Sequence, residues 1–382
     1  MLVKEAIIYP LSAKLHNGSF ASGRGSVTER TSVIVQLKDD NGQIGIGESG
    51  VGNPLSITHR IREFLEVIVN REQPYNGISE SLFTQLGYQE EGNVGYSAMS
   101  AIDIALNDLL SRCTGSSLSD VYGGATRSSI PVYAGTGYFH MDRSNDIAFL
   151  SEQVRDALDM KMKGIKIKIG GDVSKDLERI RCAQEIIQGQ VPLMVDANES
   201  YDRLGVTKLV RLIRDDVMFL EEPVEYGDYA TLRRISEMGI SVAAGENIST
   251  INRFLDYMDK ADVTVIEPDI TKVGGVKGLQ MISTVCNAKS RLMYPHNWST
   301  PISTLATASF MLTLPAKSHS HPYGPNYPLL ELDMSPNPLR EVFTGDYTFD
   351  GGSISMGKSK GLGVELDEQK LRKYMVHEPV KV

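Results

Sequence analysis

Three carboxylates recur along this chain at one interval. Asp196, Glu221 and Glu246 are each 25 residues apart, and each closes a short apolar run. If the three runs are neighbouring strands, the acids meet at one edge. Alone there, they would repel and raise one another's pKa unless a cation sat among them. Three hard oxygen ligands with no Cys or His beside them suit Mg²⁺, which keeps positions open for water or substrate. As helix N-caps or surface acids, the three would have no reason to share a register.

Other reactive types stand at comparable places. Lys166 and Lys168 are two apart, so in a strand both point to one side. An ammonium beside a divalent cation is pushed toward its neutral form, which makes Lys168 a candidate general base. Lys166 would tune it and contact a substrate carboxylate. His296 follows a later apolar run, and Asp269 follows the run before that. An Asp at that distance can hold an imidazole in one tautomer and support its protonated form. Glu331 ends the last run, either as a donor to a developing oxyanion or as a structural acid. Together these groups describe removal of an α-proton from a carboxylate, with charge stabilised by the metal as an enediolate forms. Lys168 and His296 would stand on opposite faces of that carbon.

The elements that position these residues follow from periodicity. Residues 1 to about 50 read as strands, with a turn at Asp39-Asp40-Asn41-Gly42 and a polar loop from Asn17 to Arg30. Helical spacing then covers 57–69, 79–87 and 96–112, so an α+β domain is expected over 1–125. From Pro131 the pattern changes. Short strands are predicted at 131–135, 165–169, 193–196, 218–221, 241–245, 263–267, 291–294 and 328–332. Helical stretches such as 144–162, 173–188 and 203–214 lie between them. An open doubly wound sheet would accept this order, but eight evenly spaced strands favour an α/β barrel of TIM type over 126–340. Its active site would lie at the C-terminal strand ends, where the reactive residues fall. Residues 341–382 are expected to leave the barrel and return to the first domain.

Composition narrows the partners. The net charge is −9 with no basic stripe, which argues against a nucleic-acid backbone as the main partner. No apolar run approaches the roughly 20 residues that span a bilayer. The N-terminus reads as a strand, not as a secretion signal. Cys113, Cys182 and Cys286 are odd in number and widely spaced, as expected of buried thiols in a reducing, cytoplasmic compartment.

In their order these motifs resemble the enolase superfamily, in its mandelate racemase-like subgroup. The resemblance is carried by Ala101-Ile102-Asp103-Ile104-Ala105-Leu106 with Tyr122-Gly123-Gly124, then Lys166-Ile167-Lys168, Asp196-Ala197-Asn198 and Glu221-Glu222-Pro223. Gly245-Glu246-Asn247, Pro268-Asp269 through Gly274-Gly275, His296 and Leu330-Glu331 complete it. It implies a modified (β/α)₇β barrel with an N-terminal α+β cap completed by the C-terminal segment. It also implies one Mg²⁺ on Asp196, Glu221 and Glu246, acid/base groups Lys168 and His296–Asp269, and a homo-oligomer. The muconate lactonizing branch carries a lysine where this chain has Asp269, which argues against that branch; Lys272 nearby is a secondary candidate.

In such a family the cap loops determine specificity. Here His16, Arg24 and Arg30 are the polar candidates, with Tyr138, His140, Asn198, Trp298, His319 and His321 as further lining groups. A Gly- and Ser-rich loop suits a hydroxylated acid better than an aromatic one. The expected activity is dehydration of an acid sugar, an aldonate or aldarate, to a 2-keto-3-deoxy acid. Racemisation or epimerisation of an α-substituted acid is the alternative, and a silent metal-binding homologue the minor one.

Overall fold

A computed structural model describes residues 2–87, 93–314, 328–345, 347–356 and 360–382. The first domain is built on three antiparallel strands, β1 (Val3–Lys14), β4 (Glu29–Asp39) and β5 (Ile44–Glu48). Between β1 and β4 a small hairpin forms, β2 (Phe20–Ser22) and β3 (Gly25–Val27). The stretch expected as a loop is thus partly paired, because Ala21 exchanges backbone hydrogen bonds with Phe139 of the second domain. Helices α1 (Pro54–Glu66), α2 (Tyr75–Gly87), α3 (Asn93–Thr114) and the short α4 (Leu118–Val121) follow.

The sheet works as a partition. Alternate residues of a strand face opposite sides. On β4, Val33, Val35 and Leu37 join the core under α1 and α3, whereas Ile34 joins the larger core of the second domain. Gly45 and Gly47 let β5 lie directly on α3. A Cβ on them would sit 2.3 Å from the Ala105 carbonyl oxygen and 2.1 Å from that of Ala101.

The second domain places eight strands in one parallel order. These are β6 (Ser129–Thr136), β7 (Ile165–Lys168), β8 (Leu193–Asp196), β9 (Leu220–Glu221), β10 (Val242–Ala244), β11 (Val265–Ile266), β12 (Leu292–Met293) and β13 (Leu330–Asp333). They run β13-β6-β7-β8-β9-β10-β11-β12. Among the described residues no ladder joins β12 to β13. Asn297 bridges that seam instead, donating from its side chain to the Glu331 carbonyl (3.2 Å) and from its backbone to the Glu331 carboxylate (3.3 Å). Between the strands lie α5 (Asp146–Asp159), α6 (Val173–Ile187), α7 (Arg203–Ile213), α8 (Tyr229–Ser236), α9 (Ile251–Lys260), α10 (Gly275–Ala288) and α11 (Pro301–Thr313).

The bore is filled in layers. Met194, Phe219, Val265, Tyr294 and Leu329 form one buried cluster with Tyr133 and Ala243. Each of the first five lies two residues before Asp196, Glu221, Glu267, His296 or Glu331. The period of two therefore stacks a polar layer on an apolar plug, as barrel interiors require.

The C-terminal segment divides its contacts. One of its strands (Ser353–Met356) pairs antiparallel with β6, and another (Val380–Lys381) pairs with β1. The three cysteines are free, but only Cys286 is buried. Cys113 is exposed, contrary to expectation: it lies in the last turn of α3, one turn past the Leu109 contact with β5, and its thiol donates to Asp39 (3.3 Å). No helix among the described residues is long and apolar enough to cross a membrane.

The two domains are joined at helix N-termini. Glu48 ends β5, and its carboxylate accepts from the backbone N–H of Thr300 (3.1 Å) and Ser303 (2.9 Å) and from the Thr300 hydroxyl. It thereby caps α11 from the other domain. On α3, Asp103 accepts from Val276 N–H (2.8 Å), and Ser100 from Gly274 and Gly275, which caps α10 in the same way.

Burial pushes the Glu48 carboxyl up to about 7 against these hydrogen bonds. Its folded pKa thus exceeds its unfolded value of 4.5, so ionisation costs the folded state more than the unfolded one. The wild type is expected to lose about 3 kcal/mol relative to Glu48→Gln as pH rises through that window, at 1.36 kcal/mol per unit. Paired urea melts at several pH values measure this difference. A pH-independent gap between the two proteins would refute it.

Candidate active site

The polar layer is a network of buried acids and cations. Asp196, Glu221 and Glu246 are all buried and offer oxygens within 4.8 Å of one another. This is the scale of an octahedral Mg²⁺ shell, where ligands at about 2.1 Å from the ion place opposite oxygens about 4.2 Å apart. One Glu221 oxygen, Oε1, is buried without a hydrogen-bond partner. An orphaned carboxylate oxygen beside two others fits a cation site, and these three residues would hold the ion.

The remaining groups are arranged around that triad. Lys168 on β7 pairs with Asp196. Burial opposes its charge, but Asp196 prevails and its pKa lies above the ordinary lysine value. A divalent cation on Asp196 would compete for that oxygen and weaken its hold on the proton. On the other side, His296 Nε2 lies 3.2 Å from Glu246, and Nδ1 lies 2.9 Å from Asp269. Burial works against an imidazolium here, but Glu246 and then Asp269 outweigh it and raise the pKa. Asp269 is itself held by the backbone N–H (2.8 Å) and hydroxyl (2.6 Å) of Thr271. The dyad is therefore oriented from behind, with Nε2 turned to the triad.

Lys166 sits deeper. Its ammonium lies 2.6 Å from Glu221 and 2.9 Å from Glu331, and the side chain is 1% exposed. It does not line the open cavity. The carboxylate of Glu331 has room because the neighbouring strand carries Gly135, where a Cβ would be 2.4 Å from Glu331 Oε1.

A cavity of about 260 Å³ opens above this layer. Lys168, His296, Glu246, Glu331 and Asn198 form its floor, and Arg24, Tyr138 and Trp298 stand at its sides. Of the other sequence candidates, His16 and His140 do not line it. Arg30 belongs to strand β4 rather than to a loop, and its side chain is buried against Asp333. His319 and His321 lie outside the described residues. Arg24 forms the tip of the β2–β3 hairpin and pairs with Glu199. The tip rests on the loop that follows Asp196 because its neighbour is Gly23, whose Cβ would be 2.3 Å from the Ala197 carbonyl oxygen.

Further residues line or support the cavity, among them Lys272, the secondary candidate of the sequence. Phe20, Val27 and Val51 give the cavity an apolar side. Asn247 donates to Glu246 (2.9 Å). Lys272 reaches the cavity and donates to the Glu246 carbonyl (3.0 Å) and the Asn247 side chain (3.1 Å). Asn247 and Lys272 had a signal in their place directly behind strand-end motifs, and Phe20, Val27 and Val51 fall in the cap stretches around 16–30 and after Glu48 where specificity is expected.

Known families match both domains. The family described as "Mandelate racemase / muconate lactonizing enzyme, N-terminal domain" matches residues 5–123, and "Enolase C-terminal domain-like" matches residues 150–370. The chain belongs to the mandelate racemase/muconate lactonizing enzyme family of the enolase superfamily. It is an enzyme of the superfamily that abstracts protons with the help of Mg²⁺. Among curated relatives, the D-galactarolactone cycloisomerase of Agrobacterium fabrum is 27% identical over 94% of this chain and 95% of its own length. The arabinonate dehydratase of Saccharolobus solfataricus is 24% identical over 90% of each. The crystal structure of the 3,6-anhydro-D-galactonate cycloisomerase from Zobellia galactanivorans superposes with a TM-score of 0.86 at 25% identity, covering 99% of this chain and 100% of that one. The family fold is thus a barrel with an N-terminal α+β cap, as the eight-strand order indicates.

Burial, then the charge of Asp196, lifts the Glu221 carboxyl to about 8. Metal binding needs the carboxylate, so Mg²⁺ affinity is expected to rise as pH rises toward about 8. Near neutrality, binding should release close to one proton. Calorimetry in two buffers of different ionisation enthalpy reads this directly. Asp196→Asn should remove most of the Mg²⁺-induced rise in melting temperature. Proton-neutral binding in the wild type would remove the pH argument.

Proposed function

We propose that this enzyme takes the α-proton from an acid sugar, an aldonate or aldarate, and expels the β-oxygen as water, giving a 2-keto-3-deoxy acid. The observation that carries this reading is the placing of Lys168 and His296 at opposite flanks of one triad, both open to one cavity. Bound Mg²⁺ would supply charge stabilisation for the substrate carboxylate. Lys168 takes the α-proton. His296, held in one tautomer by Asp269, donates a proton from Nε2 to the leaving hydroxyl. The C–H and C–O bonds break, a C=C bond forms, and the enol ketonises. Lys166 and Asn247 take no proton; they hold Glu221 and Glu246 in place.

A second reading is favoured by the apolar side of the cavity. The Phe20 and Tyr138 rings are 4.5 Å apart, and Trp298 donates to the Tyr138 hydroxyl. An aromatic wall suits the C–H face of a closed ring, which a lactone or anhydro sugar presents. There the β-oxygen is a ring atom and stays attached after cleavage, so the reaction is an isomerisation. Two of the relatives named above are cycloisomerases, which supports keeping this reading.

Proton NMR with Mg²⁺ in D₂O, against acid sugars and their lactones, separates the outcomes. A keto-deoxy product lighter by one water supports dehydration, and one of unchanged mass supports ring opening. Inversion at the α-carbon with deuterium incorporation and no elimination would replace both with racemisation. Lys168→Met and His296→Asn should each lower turnover at least 10²-fold, the scale of a lost acid/base group. Both should retain Mg²⁺ binding. Wild-type turnover in both variants would overturn the assignment.

A further inference from the structure

The wall that faces the substrate is braced from the cap. Arg30 comes from β4 of the cap, yet it is 2% exposed and reaches the barrel. Its guanidinium carbon lies 3.7 Å from the centroid of the Trp298 ring. The same guanidinium donates to Asp333 (3.0 Å), Ser335 (2.7 Å) and the Trp298 carbonyl (2.9 Å). Asp333 ends β13 and accepts a second bond from the Tyr138 hydroxyl (3.1 Å) and a third from Arg340 (2.8 Å). Tyr138 in turn accepts from the Trp298 indole N–H (3.1 Å). The loop is closed: Arg30 to Asp333 to Tyr138 to Trp298 and back to Arg30.

We infer that Arg30 and Asp333 are positioning residues that lock the Tyr138–Trp298 wall and so set how the enzyme holds its substrate. Neither lines the cavity, and both act through the two rings that do. A planar guanidinium is required, because it must stack on an indole and fork to three acceptors at once. Lysine keeps the charge but cannot do both. The buried Asp333 carboxylate stays ionised: burial opposes this, but Arg30 and Arg340 hold its pKa below the usual range. The brace also ties substrate recognition to cap docking, since Arg30 reaches from the cap to hold the wall from behind.

The inference rests on the proposed reaction only for its kinetic readout. Trp298 is the single tryptophan of the chain, so emission reports on the wall without any substrate. In full-length Arg30→Lys, Trp298 emission should shift and acrylamide quenching should rise in the ligand-free protein. On the acid identified by the D₂O screen, KM should rise about tenfold, the scale of a lost buried cation–π contact, while kcat changes little. A variant that melts earlier but keeps wild-type emission, quenching and KM would show Arg30 to be merely structural and overturn the inference. If Arg30→Lys does not fold, Tyr138→Phe decides: it removes only the hydroxyl that links Asp333 to Trp298. Changed quenching and a raised KM support the brace, and an unaltered wall refutes it. A shifted emission with no activity on any acid sugar would sink the reaction reading alone.

Discussion

The governing constraint is buried negative charge at one end of the barrel. Asp196, Glu221, Glu222, Glu246, Glu267, Asp269 and Glu331 are all buried there. Such a layer survives only if each charge is paired, neutralised or bound to a cation. Lys166, Lys168 and His296 answer most of it, each against two carboxylates or one. Glu267 has neither oxygen hydrogen-bonded, and burial followed by the charge of Glu221 pushes its carboxyl well above the usual range. The positions of these three cations follow from this need. Removing one side of a buried pair costs about 3–5 kcal/mol, so the groups proposed for acid/base chemistry are also structural ties.

This explains how much of the site could be read from the sequence. The 25-residue interval of the triad is the length of one strand and one helix, and the fold preserves it. Local periodicity also places Lys168 and Glu331, whose direction alternation fixes within β7 and β13, and brings Asp269 and His296 just past the ends of β11 and β12. The apolar plug residues two positions upstream reinforce the same register. Lys166 shows the limit. Its side was legible from the spacing to Lys168, but its depth was not, since that depends on Glu221 and Glu331 from other strands.

The substrate side was less legible for the same reason. Phe20, Val27 and Val51 reach the cavity from the cap, and no local pattern announces how far a hairpin or loop will extend over another domain. Arg30 was read as a loop residue because a charged side chain in a polar stretch looks solvated. Its burial depends on Asp333 and Trp298, about three hundred residues away along the chain. The Cys113 expectation failed on a simpler point: how many turns of α3 are covered depends on where β5 lies, and its contacts reach Leu109 but not the turn that carries Cys113.

The caps on α10 and α11 carry a consequence for how this molecule can come apart. Glu48 and Asp103 finish helices that belong to the other domain. Detaching the first domain would leave α10 without its side-chain caps and α11 with only its own Thr300 on Ile302, directly behind the loops that hold Asp269 and His296. Neither half is then a finished unit, and the pair should unfold as one cooperative body rather than in sequence. Exchanging the cap for that of a relative would therefore have to carry both acids, or helix ends beside the Asp269–His296 pair would fray.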